Sequence, residues 1–89
     1  MPTIHLLITG KVQGVFYRAT AKKAAEGLGV KGRIKNTKDN KVEAIVTGAA
    51  DQLDQFIEWC KQGPSRARVS EVIVTKVDDK NFDDFKIER

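Results

Sequence analysis

The chain has 89 residues, enough for one small domain with a modest core. Its 40% hydrophobic and 31% charged content excludes a disordered chain, and no apolar run approaches the ~20 residues that cross a bilayer, so no membrane partner is expected. Net charge is +4 and uneven: residues 1–45 carry nine Lys/Arg against three Asp/Glu, and the remainder carries seven against nine. Cys60 stands alone, so no internal disulfide can form, and no signal-peptide pattern opens the chain; together these predict a cytoplasmic protein.

Thr3 to Thr9 reads as a strand with Ile4, Leu6 and Ile8 on one face. That alternation puts His5, the only histidine, on the other face, where a surface role is expected. Gly10 to Arg18 follows as a turn. Ala21, Ala24, Ala25 and Leu28 then recur at helical spacing, with Gly27 and Gly29 expected to end the helix. Val30 to Thr37 reads as a second strand. Lys38-Asp39-Asn40-Lys41 is a hairpin turn in which Asn40 tolerates positive φ, and Val42 to Thr47 is the third strand. A second helix carries the stripe Leu53, Phe56, Ile57 and Cys60, with Asp51 near its start, Lys61 near its end and Gly63-Pro64 as its stop. Arg68 to Val77 is a fourth strand and Phe85-Lys86-Ile87 a short fifth. The order is β-α-β-β-α-β plus one strand. It predicts an α+β, ferredoxin-like split β-α-β sandwich, in which an antiparallel sheet carries two helices on one face.

The turn from Gly10 to Arg18 is the candidate site. It passes from a strand into a helix, whose free N–H groups and dipole favour an oxyanion. Arg18 adds a permanently charged planar fork. The segment is not a Walker A loop, because no Gly-Lys-Ser/Thr follows. It is similar to the arginine loop of cysteine phosphatases, but there a thiolate lies six residues before the arginine, and here that position is Val12. Cys60 belongs to the apolar stripe of the second helix and reads as a structural thiol. Gly27-Leu28-Gly29-Val30-Lys31-Gly32 matches G-x-G-x-x-G, yet it ends a helix and opens a strand, the reverse of the dinucleotide context. No His, Cys, Asp or Glu cluster has metal-ligand spacing, so no metal or other cofactor is expected. A cradle without nucleophile or metal needs water as the attacking group. Asn36, at the end of the second strand, offers both a donor and an acceptor to orient it.

Val12-Gln13-Gly14-Val15-Phe16-Tyr17-Arg18, with Gly32-Arg33-Ile34-Lys35-Asn36 and Val42 to Gly48, resembles the acylphosphatase family. Leu28-Gly29-Val30, Gly63-Pro64 and the spacing of Ala67, Val69 and Val72 extend the resemblance over nearly the whole chain, residues 1–89, as one acylphosphatase-like domain. The resemblance implies hydrolysis of acyl phosphates to a carboxylate and inorganic phosphate without a cofactor. It implies that Arg18 and the amides of Val15, Phe16, Tyr17 and Arg18 hold the phosphoryl group, and that Asn36 positions water. Small-molecule acyl phosphates are then the expected partners, with inorganic phosphate and sulfate as competing anions. Three positions depart from the family pattern: Arg33 where an aromatic is usual, Asn40 where glycine is usual, and the bulky Phe16, expected to narrow the acyl side. The competing reading is a basic ferredoxin-like RNA-binding module. Its signature is missing, and the second strand offers Arg33 and Lys35 in place of paired aromatics, so no nucleic acid is expected. A monomer is expected, as no long apolar stripe remains after the core is assigned.

Overall fold

Alternation along the first strand sets the two layers. Ile4, Leu6 and Ile8 are buried, while His5, Leu7 and Thr9 between them are half-buried. The computed structural model describes residues 1–88. Its elements are β1 (Thr3–Lys11), α1 (Tyr17–Leu28), β2 (Lys31–Asn36), β3 (Val42–Thr47), α2 (Ala50–Gln62), β4 (Arg68–Val77) and β5 (Phe85–Ile87). The strands form one sheet in the order β4-β1-β3-β2-β5. The crossover through α1 leaves a gap between β1 and β2, and β3 fills it, pairing antiparallel with both. The expected antiparallel sheet is therefore present in β4-β1-β3-β2. The short fifth strand makes the sheet mixed, because it joins the outer edge of β2 in parallel, with Gly32 opposite Phe85 and Ile34 opposite Ile87.

One face of the sheet and both helices share a core. Ile4 faces Val46 and Leu6 faces Ala44 across β1 and β3, and all four are buried. Against them α1 presents Tyr17 with the small Ala21 and Ala25, while α2 presents Leu53, Phe56 and Cys60. Phe56 meets the Phe85 ring edge-on at 5.9 Å, so the core reaches out to β5. Burial of each such large side chain contributes roughly 1.5–3 kcal/mol.

Several boundaries move from their expected places, each for a local reason. Helix α1 ends at one glycine and not two. Gly29 is left-handed at φ 78°, while Gly27 sits within the last helical turn. Gly32, the third glycine of the dinucleotide-like pattern, is required by packing, since a Cβ there would collide with the Ile45 carbonyl of β3. Strand β2 is shorter than Val30 to Thr37. The Val30 N–H bonds back to the Ala25 carbonyl at 2.8 Å, and the Thr37 N–H closes the hairpin onto Lys41 at 2.8 Å. Asn40 adopts φ 66°, as its turn position requires. The start of α2 is held by Gln52, whose side-chain oxygen accepts the Ala49 N–H at 2.9 Å.

The open face carries His5, whose ring bonds the Glu43 carboxylate at 3.0 Å. Arg33 also lies there. It donates to the Asp84 carboxylate at 3.0 Å and stands 5.1 Å over the Phe82 ring, fastening the segment before β5. The central strands β1 and β3 contain no Phe, Tyr or Trp, so they supply no stacking platform for bases. No helix is long and apolar enough to cross a membrane.

Candidate functional site

The loop between β1 and α1 is shaped by its backbone. The register of β1 against β4 slips between Thr9 and Gly10, and pairing resumes at Gly10 and Lys11 before the loop begins. Val12 and Val15 are buried and anchor the loop in the core. Between and after them, Gly14 at φ 72° and Phe16 at φ 62° take left-handed conformations. Left-handed residues alternating with ordinary ones turn successive N–H groups toward a common concavity. Phe16 is also the N-cap of α1 and offers no side-chain acceptor. The first helical bond runs from Thr20 N–H to the Phe16 carbonyl at 3.0 Å, and the Thr20 hydroxyl donates to the same oxygen at 2.8 Å. Among the described residues, no acceptor takes the amides of Val15, Phe16, Tyr17, Arg18 or Ala19. The first turn contains no acidic residue to neutralise those donors, and Arg18 stands among them. The result is a patch of positive potential at a helix N-terminus.

Arg18 and Asn36 come from different elements and line one cavity of about 300 Å³, together with Gly14, Phe16, Tyr17 and Ile87. The Arg18 guanidinium makes neither an ion pair nor a hydrogen bond with another described residue. Asn36 ends β2, and its side-chain oxygen is buried with no hydrogen-bond partner. A buried acceptor left in that state costs about 1–3 kcal/mol. The cavity is thus lined by an unpaired cation from α1 and by Asn36 from β2. Among the described residues, no group of three His, Cys, Asp or Glu side chains is placed to hold a metal ion.

The sequence-derived site residues divide in the structure. Gly14, Phe16, Tyr17, Arg18 and Asn36 surround the cavity, whereas Val15 lines a groove on the other side of the loop. Phe16 is 71% exposed and stands at the rim of the cavity. Tyr17 turns its ring into the core against Trp59, and its hydroxyl donates to the Cys60 carbonyl at 2.8 Å. Its contribution to the cavity is therefore largely main chain. Burial pushes the Cys60 thiol up to about 12, in keeping with a structural role.

One residue escaped the sequence reading. The Gln13 side-chain nitrogen donates to the Thr37 carbonyl at 2.9 Å and to the Lys41 carbonyl at 2.8 Å. It ties the loop to the hairpin directly after Asn36, and so fixes the spacing between the two halves of the cavity. The only hint in the sequence is a two-donor amide inside a glycine-bearing turn, because its acceptors are main-chain atoms that no residue pattern announces.

Comparison with known proteins agrees with this geometry. The acylphosphatase family model matches residues 4–87. An acylphosphatase of Bordetella parapertussis is 49% identical over 72 residues, 81% of this chain and 77% of that one. The acylphosphatase of Haloquadratum walsbyi is 42% identical over 85 residues, 96% of this chain and 91% of its own. The solved structure of an acylphosphatase from Coxiella burnetii superposes with a TM-score of 0.94 at 36% identity, covering 98% of this chain and 92% of that one. With its split β-α-β sheet, its loop of outward amides and these relatives, the chain belongs to the acylphosphatase family.

Proposed function

We propose that this chain hydrolyses acyl phosphates by direct attack of water, with Arg18 and the loop amides holding the phosphoryl group and Asn36 aiming the water. The observation that carries this division of labour is that Arg18 and Asn36, from two separate elements, line one cavity. Three equatorial phosphoryl oxygens seat against the Arg18 fork and the amides of Val15 to Arg18, which stabilise charge as the bond to the leaving oxygen lengthens. The Asn36 side-chain oxygen accepts a hydrogen bond from the attacking water and turns a lone pair toward phosphorus. The water oxygen bonds to phosphorus, and the bond to the acyl oxygen breaks. Its electron pair leaves on a carboxylate, which is a good leaving group without protonation. The water's proton passes to a phosphate oxygen of the substrate itself. The scheme calls on no metal or organic cofactor, and a chelator is expected to leave turnover unchanged.

The basic half of the chain, which contains the loop, favours the approach of small anions. Inorganic phosphate and sulfate are accordingly expected to raise KM at constant kcat. The 89 residues act in this reading as one catalytic domain, monomeric and cytoplasmic. The lone buried Cys60 suits a reducing compartment. The exposed Ile73 and Val74 point to opposite faces of β4 and form no common patch. The deciding measurement is phosphate release from acetyl phosphate, with a phosphate monoester as control. Release from acetyl phosphate alone supports the reading. Equal release from both makes the chain a general phosphatase, and release from neither overturns it.

A further inference from the structure

Helix α2 ends on a gap in its hydrogen bonding that another element fills. The helical donor for the Cys60 carbonyl would be the N–H of residue 64, but residue 64 is Pro64 and has none. Cys60 is fully buried, which leaves that carbonyl dependent on a donor from the protein. The Tyr17 hydroxyl supplies it, donating to the Cys60 carbonyl at 2.8 Å. Burial pushes this hydroxyl above the usual phenol range, so it keeps its proton. The ring is confined as well: its centre lies 5.4 Å from that of Trp59, and a Cβ added at Gly63 would stand 3.0 Å from its edge. Tyr17 is the first residue of α1, so the bond joins the start of α1 to the end of α2.

Directly before Tyr17 stands Phe16, left-handed at φ 62°. That conformation is costly for a bulky residue and persists only where the surroundings impose it. The exposed Phe16 side chain does not impose it. The Phe16 carbonyl is bound by the N–H and hydroxyl of Thr20, which fastens Phe16 to the first turn of α1. Tyr17 in turn fastens that first turn to α2. Without the second fastening the helix start is free to rotate. Phe16 then relaxes to negative φ, and the amides beside it lose their common direction. We infer that Tyr17 is a positioning residue: its hydroxyl, tied to the Cys60 carbonyl, holds Phe16 in the left-handed turn and so aims the amides of Phe16, Tyr17 and Arg18 at a bound oxyanion. The inference rests on the acyl phosphate reading above and adds to it a buried side chain that never touches the substrate.

The test is Tyr17→Phe, which keeps the ring and removes the bond, measured alone and together with Phe16→Gly. Inorganic phosphate is titrated against each folded variant and followed by NMR of the backbone amides, and acetyl phosphate turnover is measured beside it. Tyr17→Phe is expected to weaken phosphate binding by about fivefold, the equilibrium worth of one hydrogen bond, and to lower kcat for acetyl phosphate to a similar degree. Glycine takes positive φ about as readily as negative, so in the Phe16→Gly background the same change should alter phosphate binding by less than about twofold. Stability to urea should fall equally in both backgrounds, because the Cys60 carbonyl loses its donor in each. A merely structural bond predicts that loss of stability with phosphate affinity unchanged, and such a result overturns the inference. An equal fall in affinity in both backgrounds overturns it too, since the effect would not pass through Phe16. A second measurement covers a Tyr17→Phe chain that fails to fold. Tyr17 is the only tyrosine, so 3-fluorotyrosine incorporated throughout the chain labels it alone. Its fluorine resonance should move as phosphate binds, and a resonance unmoved at saturation overturns the inference. Phosphate binding without acetyl phosphate hydrolysis in the unmodified protein defeats the acyl phosphate reading and leaves the tyrosine tie to be judged on binding; absence of phosphate binding defeats both.

Discussion

The two segments that meet at the cavity are built on opposite plans. The β1–α1 loop offers main chain: left-handed Gly14 and Phe16 aim its amides, while its side chains go elsewhere, Val12, Val15 and Tyr17 into the core and Phe16 outward. The end of β2 offers a side chain, the Asn36 amide, on an ordinary strand backbone. A site made of backbone constrains conformation and tolerates changes of side chain. A site made of one side chain tolerates little there and leaves the backbone free. Arg18 stands at the junction, a charged side chain from the start of α1 that lines the same space.

Four substitutions test that contrast. Arg18→Ala removes the one loop side chain assigned to charge stabilisation and is expected to cost about 10³-fold or more in kcat, with circular dichroism unchanged. Near-normal turnover would mean that the amides alone suffice. Asn36→Ala should depress kcat by about 10²–10³-fold, the cost of one positioned polar group, and leave KM nearly constant. A change confined to KM would remove the water-aiming role. Gln13→Ala breaks the tie between loop and hairpin. It is expected to cost about 1–3 kcal/mol in urea unfolding, since it removes two part-buried hydrogen bonds, and to lower kcat less than Asn36→Ala does. A stable variant with full activity would show that the two segments hold their spacing without it. Phe16→Ala should be the mildest, within about 0.5 kcal/mol in stability and about twofold in kcat, because the side chain is exposed and its amide persists. A loss as large as that of Asn36→Ala would show that the loop contributes this side chain as well as its backbone.

What the sequence could reveal follows the same contrast. Strands β3, β4 and β5 and the stripe of α2 coincide with their expected residues, because hydrophobic period and turn chemistry encode them locally. Arg18 and Asn36, which line one cavity, could be singled out as candidates because the role expected of each rests on its side chain. The parallel docking of β5 on β2 was not, since two apolar residues at period two fit a parallel or an antiparallel neighbour equally. The inward turn of Tyr17 was also hidden, because it depends on a carbonyl of α2 that meets it only in the folded chain. Gln13 was missed for the same reason: its partners are backbone oxygens contributed by a different turn. Gly27 and Gly29 look alike as letters, yet only Gly29 takes the left-handed cap, where its N–H donates back to the carbonyls of Ala25 and Glu26.

The three-residue strand β5 carries a further meaning. Its Ile87 forms part of the cavity wall, and the following Glu88 N–H bonds the Ile34 carbonyl of β2 at 2.8 Å. Residues from the first strand-to-helix loop and from the last strand must therefore come together before the chamber is enclosed. A chain in which β5 has not docked keeps its arginine and its amides but lacks the Ile87 part of the cavity wall. Hydrolysis, followed in time during refolding, would report the seating of the last strand, later than any signal from helix formation alone.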